Sequence, residues 1–215
     1  MTLQLYFHPL SSFSQKVLIA LYENDTAFEP RIVNFGEDKS RSEFLEVWRM
    51  GKIPVLKDEA RDWVIPETSI IIEYLDQNYP GKTRFIPADA DRARQMRMRD
   101  RFFDLYVNVP MQKIVTDRLR PESQHDLFGV EEAKRQLSTA LELVDDAMGS
   151  KTWAAGDEFT MADCAAAPAL WYANEVMPFT DAHKNATAYL GRLMARPSFV
   201  RALREAEPYL SLFPR

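Results

Sequence analysis

The spacing of apolar residues changes once along this chain, close to Pro87, and the change limits the folds available to it. Before Pro87, short β-like runs alternate with helix-like runs in the order βαβ and then αββα. After Pro87 the strand patterns stop. Long segments with helical spacing follow, at residues 90–120, 129–148, 160–176 and 184–206. The sequence therefore predicts an α/β domain followed by an all-helical domain.

The order of the first elements is typical of a thioredoxin-like α/β domain. A helix predicted to end at Asn78 is stopped by Tyr79, Pro80 and Gly81. We therefore predict a thioredoxin-like domain at residues 1–81, a linker at residues 82–87 and an all-helical domain at residues 88–215.

Composition narrows the class of protein. The chain has 215 residues and a net charge of −5, which gives no basic surface for nucleic acid. No apolar run approaches the ~20 residues that a membrane helix needs, and no basic segment follows Met1, so we expect a cytosolic protein without a membrane partner. Cys164 is the only cysteine, which excludes an internal disulfide, a dithiol pair and a cysteine-rich metal site. Thiol chemistry would need a thiol from outside the chain.

The first strand pattern breaks at Pro9 and is followed by a helix that begins with serines. They are Ser11, Ser12 and Ser14. A helix N-terminus attracts an anion through its unpaired N–H groups and its dipole, and serine hydroxyls add donors. The segment fits an activated thiolate. The alternative interpretation is that one serine caps the helix and the others are solvated turn residues.

Two further segments carry structural information. Pro54 starts a strand-like run, where its missing N–H would break a central ladder, so we predict a cis Ile53–Pro54 bond. The alternative is an ordinary trans proline, since only ~5–6% of such bonds are cis. Thr160 and Asp163 form a helix-capping pattern in which Asp163 reaches back to the cap N–H. Cys164, which follows, is predicted to be a small buried residue rather than a nucleophile.

With these pieces placed, the chain resembles the glutathione transferase superfamily along its whole length. Four ordered motifs carry the resemblance: Ser11–Ser12–Phe13–Ser14, Gly51–Lys52–Ile53–Pro54–Val55–Leu56, Pro66–Glu67–Thr68–Ser69–Ile70–Ile71 and Phe159–Thr160–Met161–Ala162–Asp163. The serine position is similar to that of the theta, delta and zeta classes. The chain departs from the zeta class at Phe13, where that class has a cysteine. It departs from the omega class at Ser11, where that class has its cysteine nucleophile. It also has Arg49–Met50 where Asn-Pro is frequent.

The resemblance implies glutathione as co-substrate, with the cysteinyl backbone of the peptide paired to Ile53 beside Pro54. The Glu67 carboxylate would take the γ-glutamyl ammonium, and Thr68 would take the γ-glutamyl carboxylate. Lys52, or else Lys39, would meet the glycyl carboxylate. The alternatives are that Glu67 is a first-turn acid favoured by the helix dipole and that the lysine is solvated.

Several hydroxyl groups compete for the thiolate. Ser11 is the first choice because it matches the serine of the theta and delta motifs, and Ser12 is the second. Ser14 is predicted to be a buried first-turn residue. Tyr6 is a competitor because some classes use a tyrosine late in the first strand, although a strand tyrosine more often serves packing.

The resemblance implies a homodimeric glutathione transferase whose second substrate is a small hydrophobic electrophile. We expect the electrophile between the domains, in a region whose candidate residues are Pro9, Leu10, Phe102, Phe103, Tyr106, Met111 and Trp171. Two alternatives stay open. One is a binding or regulatory protein of the same fold without turnover. The other is a glutathione-dependent peroxidase or dehalogenase that uses the same thiolate. No metal site is predicted.

Overall fold

A computed structural model of the protein describes residues 2–214. Its first part contains four strands and three helices. The strands are β1 (Leu3–Phe7), β2 (Glu29–Ile32), β3 (Val55–Asp58) and β4 (Trp63–Pro66), and the helices are α1 (Ser12–Glu23), α2 (Asp38–Val47) and α3 (Thr68–Asn78). The observed order is therefore βαβαββα, as the alternation of apolar patterns predicts.

The four strands form one mixed sheet in the order β2-β1-β3-β4. Strand β1 runs parallel to β2, with Leu5 opposite Pro30, and antiparallel to β3, with Leu5 opposite Leu56. Because side chains alternate along a strand, the two faces of the sheet have different neighbours. Leu5 belongs to the large core, whereas Tyr6 packs into a smaller cluster around Phe44 of α2.

The second part of the described chain contains six α-helices: α4 (Ala90–Phe102), α5 (Val109–Arg118), α6 (Leu127–Met148), α7 (Met161–Val176), α8 (Lys184–Met194) and α9 (Pro197–Ala206). A π-helical stretch, Phe103–Asn108, joins α4 to α5. The prediction of one continuous segment at residues 184–206 is wrong, because the chain leaves the helix at Ala195 and Arg196 and Pro197 starts a new one. A proline suits the first helical turn, where its missing N–H is not needed.

The two parts share one hydrophobic core, in which α1 packs against α7 and α9. The predicted linker is itself packed, since Phe85 is only 1% exposed. Its N–H donates to Asp76 at 2.8 Å, and its carbonyl accepts the Met161 N–H at 3.1 Å. The fold class predicted from sequence, a thioredoxin-like α/β part followed by an all-helical part, is confirmed. The proposed boundaries 1–81 and 88–215 stay a prediction.

The start of α7 carries the predicted cap. Asp163 accepts the Thr160 N–H at 2.9 Å, and the same carboxylate accepts the Ala154 N–H at 2.8 Å and the Tyr189 hydroxyl at 2.6 Å. Asp163 thus joins α7, α8 and the loop before α7 within the core. Cys164 beside it is fully buried, as predicted. Between residues 2 and 214, no helix is both long and apolar enough to cross a membrane.

Candidate functional site

One cavity of about 170 Å³ is lined by five of the residues predicted to bind the peptide backbone and its charged ends. Those residues are Lys52, Ile53, Pro54, Glu67 and Thr68, and the other lining residues are Phe13, Trp48, Pro66, Arg101, Asp104 and Leu105. Several separate elements meet there: the first turn of α1, the end of α2, the turn before β3, the start of α3, and the end of α4 with the π-helical stretch. Residues far apart in sequence therefore form one concave site.

The turn before β3 supplies one wall of the cavity. The Ile53–Pro54 peptide bond is cis, as predicted. Ile53 is half-buried and Pro54 is buried, while Lys52 is exposed at the rim. Lys39, the alternative to Lys52, lies exposed on α2, pairs with Glu43 at 3.9 Å and does not line the cavity. The cavity therefore has one lysine from the predicted pair.

The start of α3 supplies the opposite wall. Glu67 precedes the helix with φ of 68°, in the left-handed region that disfavours a residue with a side chain by ~1–3 kcal/mol. Its carboxylate is exposed at the cavity, whereas Thr68, the first helical residue, is buried. The free N–H groups of this helix start point to an anion site, and the adjacent carboxylate suits a cation. The wall is therefore matched to a zwitterion.

The start of α1 lies at a second cavity of about 220 Å³. Ser11 caps the helix by accepting the Ser14 N–H at 3.3 Å, and it lines this cavity together with Ser12. Ser12 and Ser14 are buried, so the alternative in which they are solvated is wrong. Because Ser11 uses its oxygen as the cap acceptor, its O–H proton is free to donate to a ligand. Phe13, the next residue but one, faces the first cavity.

Tyr6 lies elsewhere. Its hydroxyl donates to Gln4 Oε1 at 3.2 Å, and its ring packs 6.0 Å from that of Phe44 on the α2 side of the sheet. Tyr6 lines neither of the two cavities. The structure therefore brings Ser11 and Ser12 together and leaves Tyr6 apart from them.

Only two of the residues predicted to contact the electrophile, Leu10 and Met111, line the second cavity. Tyr172, the neighbour of the predicted Trp171, lines it as well. The remaining lining residues are Gln112, Val115, Leu119, Leu212, Phe213 and Pro214. Phe103 is instead buried in the core, and Pro9 lines a separate cavity near β2. Phe102 and Tyr106 line a third cavity, against α6. Spacing alone could not separate these faces of one long helix.

A buried charge cluster under the first cavity was missed by sequence reasoning. Lys16 of α1 is 1% exposed, and its Nζ lies 2.7 Å from Asp100 Oδ1, 2.8 Å from Asp104 Oδ2 and 3.0 Å from Ser69 Oγ. Arg101 donates to Asp104 from the solvent side. The signal was present as a lysine inside an apolar helix pattern and two aspartates four residues apart. Arg101, whose side chain is 45% exposed, pairs with both aspartates, so the cluster joins a buried lysine to a surface arginine.

Burial changes the acidity of two groups near the site. It raises the pKa of Asp104, although Lys16 opposes this shift. It also raises the pKa of the Cys164 thiol well above its usual value, with the Asp163 charge acting in the same direction. A thiol of that kind stays protonated and is a poor nucleophile.

The described residues contain no group of three or more His, Cys, Asp or Glu side chains placed to hold a metal ion.

Comparison with protein families gives two matches, one in each part of the chain. Residues 5–83 match the glutathione S-transferase N-terminal domain, and residues 109–197 match the glutathione S-transferase C-terminal domain. Among similar proteins, a stringent starvation protein A homolog of Coxiella burnetii is 28% identical, over 96% of this chain and 93% of its own length. A glutathione S-transferase of Pseudomonas putida is 25% identical, over 98% and 96%.

Solved structures show the same architecture. A glutathione S-transferase from Methylobacillus flagellatus with glutathione bound superposes with a TM-score of 0.85 at 22% identity, covering 94% of this chain and 98% of that one. A glutathione S-transferase from Methylobacterium radiotolerans, in complex with glutathione sulfonate, gives 0.81 at 25% identity and covers 94% of each chain. The overall arrangement of strands and helices is thus shared with these proteins.

Proposed function

Because this chain belongs to the glutathione S-transferase family, we propose that it binds glutathione in the first cavity and activates its thiol for attack on a hydrophobic electrophile. One observation carries the proposal. Lys52, Ile53, Pro54, Glu67 and Thr68, selected from sequence as glutathione contacts, line a single cavity that reaches the first turn of α1.

Each end of glutathione has a matching group. The γ-glutamyl ammonium pairs with the Glu67 carboxylate, and the γ-glutamyl carboxylate accepts hydrogen bonds from the Thr68 N–H and the Thr68 hydroxyl at the start of α3. The cysteinyl backbone pairs with the N–H and C=O of Ile53, as an added strand does. Lys52 at the rim neutralises the glycyl carboxylate. These contacts direct the thiol toward α1.

Ser11 is the proposed donor to the thiolate, with Ser12 second. Lowering a thiol pKa from ~8.5 to ~6.5 requires about 2.7 kcal/mol, at ~1.36 kcal/mol per unit. A hydrogen bond to a charged group contributes ~1.5–3 kcal/mol, and a helix N-terminus contributes ~0.3–1 kcal/mol. One hydroxyl at the start of α1 is therefore sufficient, without a protein base. A reduced thiol co-substrate also fits the cytosolic location expected from the sequence.

The second candidate function is a binding or regulatory protein without turnover. Similarity to the stringent starvation protein A homolog, which is not named as a transferase, favours it. A peroxidase or dehalogenase would use the same thiolate on a different electrophile. Turnover therefore separates the binding or regulatory protein from the enzymes, and the electrophile that is consumed separates the enzymes from one another.

We also propose a homodimer. Apolar side chains that are about half exposed follow one side of α4 and the π-helical stretch: Met98, Leu105 and Tyr106. Ile70 of α3 is 53% exposed, and the nearby Glu73 pairs with Arg97 of α4 at 2.6 Å. A face that is apolar and rimmed by ion pairs fits a second copy of the chain. Sedimentation equilibrium of the unchanged protein tests this state.

Calorimetry with reduced glutathione tests the binding proposal. We expect Glu67→Gln and Thr68→Val to weaken binding at least 10-fold, because each loses a charge or a donor to a charged end. Glu46→Gln, an exposed position on α2, is the matched control and should bind like the parent. Unchanged affinity in both site variants would refute the placement. The ultraviolet absorbance of bound thiolate, followed against pH, then reports whether the site activates the thiol.

A further inference from the structure

The second cavity, beside Ser11, has an unusual lining. Its walls are mainly apolar, from Leu10, Met111, Val115 and the rings of Tyr172 and Phe213. No acidic or basic side chain occurs among the described residues that line it. Burying a charge without a partner is costly, so the cavity selects an uncharged ligand. The two rings, 5.4 Å apart, favour one with a flat apolar surface.

Gln112 is the polar residue on the side of the cavity that α5 forms. It lies on α5, and Val115 and Leu119, three and seven residues further along, line the same cavity. Residues at this spacing share one face of a helix, so the half-buried Gln112 carboxamide faces the cavity that Ser11 borders. The Tyr172 hydroxyl is already committed, since it donates to the Leu10 carbonyl at 2.7 Å. Gln112 therefore brings a carboxamide group to the wall of this cavity.

We infer that Gln112 is a specificity-determining residue that selects electrophiles whose reactive carbon is conjugated to a carbonyl group. The inference rests on the proposed function. The glutathione thiolate, having lost its proton to solvent, forms a C–S bond to the β-carbon while the C=C π pair moves toward the carbonyl. Negative charge then develops on the carbonyl oxygen, which accepts a hydrogen bond from the Gln112 amide. A proton from water completes the α-carbon, and no group leaves.

When a halide is displaced, no carbonyl oxygen gains negative charge, so the Gln112 amide has no developing oxyanion to stabilise. The sulfur again bonds to carbon, but the electron pair leaves with the halide, and no oxyanion forms. A donor placed for developing charge accelerates only the reaction in which that charge appears. The ratio of the two activities therefore reports the role of Gln112, independently of how well glutathione binds.

The test compares two electrophiles of similar shape, 4-phenylbut-3-en-2-one and benzyl chloride, with the full-length protein and reduced glutathione. Gln112→Met keeps the length of the side chain and removes the donor. We expect its kcat/KM for the enone to fall about 10-fold to 100-fold, with the value for benzyl chloride within about 2-fold of the parent. Gln112→Glu, which places negative charge near the oxyanion, should lower the enone activity further. Gln124→Leu, an exposed glutamine outside the cavity, is the control.

Each result has a separate meaning. Equal losses on both electrophiles in Gln112→Met would reduce Gln112 to a packing residue and overturn the inference. Unchanged activity on both would also overturn it, because Gln112 would then not face the electrophile. If the parent turns over neither compound although calorimetry detects glutathione, the transferase proposal fails, and this inference falls with it.

Discussion

The Tyr172 hydroxyl donates a hydrogen bond of 2.7 Å to the backbone carbonyl of Leu10, so a side chain of α7 holds the turn that leads into α1. Gln15 of α1 supports the same turn, with Nε2 2.9 Å from the Pro9 carbonyl and 3.3 Å from the Tyr172 oxygen. The orientation of Ser11 therefore depends on a residue of the helical part that is more than 150 positions away in sequence.

Tyr172→Phe should loosen this turn while keeping the ring. The variant loses the hydrogen bond to the Leu10 carbonyl and the longer one from Gln15. Since a neutral hydrogen bond contributes ~0.5–1.5 kcal/mol, we expect kcat to fall at least about 3-fold to 10-fold and the bound thiol pKa to rise. The KM for glutathione should change little, because the first cavity is not altered. Tyr209→Phe, at a ring that packs edge-on to His8, is the control. A loss of stability without any change in the pH profile of kcat would contradict the positioning role.

Ser11→Ala should raise the pKa of bound glutathione and lower conjugation about 10-fold to 150-fold, equivalent to ~1.5–3 kcal/mol. Affinity for glutathione should change little. The variant also loses a helix cap worth ~0.5–2 kcal/mol, so rates refer to the folded fraction. Ser14→Ala, at a buried neighbour, is the matched control.

Two results would move the role of Ser11 elsewhere. Equal loss in Ser12→Ala with none in Ser11→Ala would assign it to the next residue. Loss only in Tyr6→Phe would assign it to β1, despite the position of that hydroxyl near Gln4. Thiolate absorbance, followed against pH in each variant, distinguishes these cases.

Lys16→Met should destabilise the protein by about 3–5 kcal/mol, because it removes the buried cation that Asp100 and Asp104 share and leaves only the half-exposed Arg101 beside these buried carboxylates. Urea unfolding measures the change. Lys39→Met, at a lysine whose side chain is 81% exposed, should stay within about 0.5 kcal/mol of the parent. An unfolding midpoint equal to that of the parent in Lys16→Met would show that the cluster contributes no net stability.

We expect the protein to lose stability in acid because the buried Asp58 carboxylate becomes protonated. Burial opposes its ionisation, but hydrogen bonds from Tyr74 at 2.5 Å and Tyr79 at 2.6 Å hold the pKa of its carboxyl below the usual value. Since the unfolded carboxyl titrates near ~3.9, this stabilisation is complete above about pH 5 and is lost as pH falls through the lower folded pKa.

Tyr79→Phe tests this prediction, because it removes one donor and should move the acid-unfolding midpoint to higher pH. Asp58→Asn should flatten the dependence of unfolding free energy on pH below about pH 5. Acid titration followed by circular dichroism measures both. A parent and an Asn variant with parallel acid transitions would refute the assignment to Asp58.

The residues that line the first cavity could be selected from the sequence, because they occur in short motifs that determine their own local structure. A proline before a strand and an acid before a helix give their own backbone geometry, so Ile53 and Glu67 could be placed at once. Lys16 and Asp104 could not be paired in advance, because their contact depends on how α1 packs against the π-helical stretch, 88 residues further along the chain. Gln112 and Tyr172 were missed for the same reason, since only packing decides which helix face borders a cavity.

The buried cluster of Lys16, Asp100 and Asp104 also limits how the two parts of the molecule can move relative to each other. Opening the two parts like a hinge would separate Lys16 from Asp100 and Asp104 and leave its buried ammonium group without either carboxylate. We therefore expect α1 and α4 to move together as one rigid unit. The C-terminal segment at Phe213 is held more lightly, by its ring against Tyr172 and by a 3.2 Å hydrogen bond from Arg118 to the Pro214 carbonyl. Because Leu212, Phe213 and Pro214 line the cavity beside Ser11, we expect this C-terminal segment, and not a hinge between the two parts, to limit the size of the electrophile that reaches Ser11.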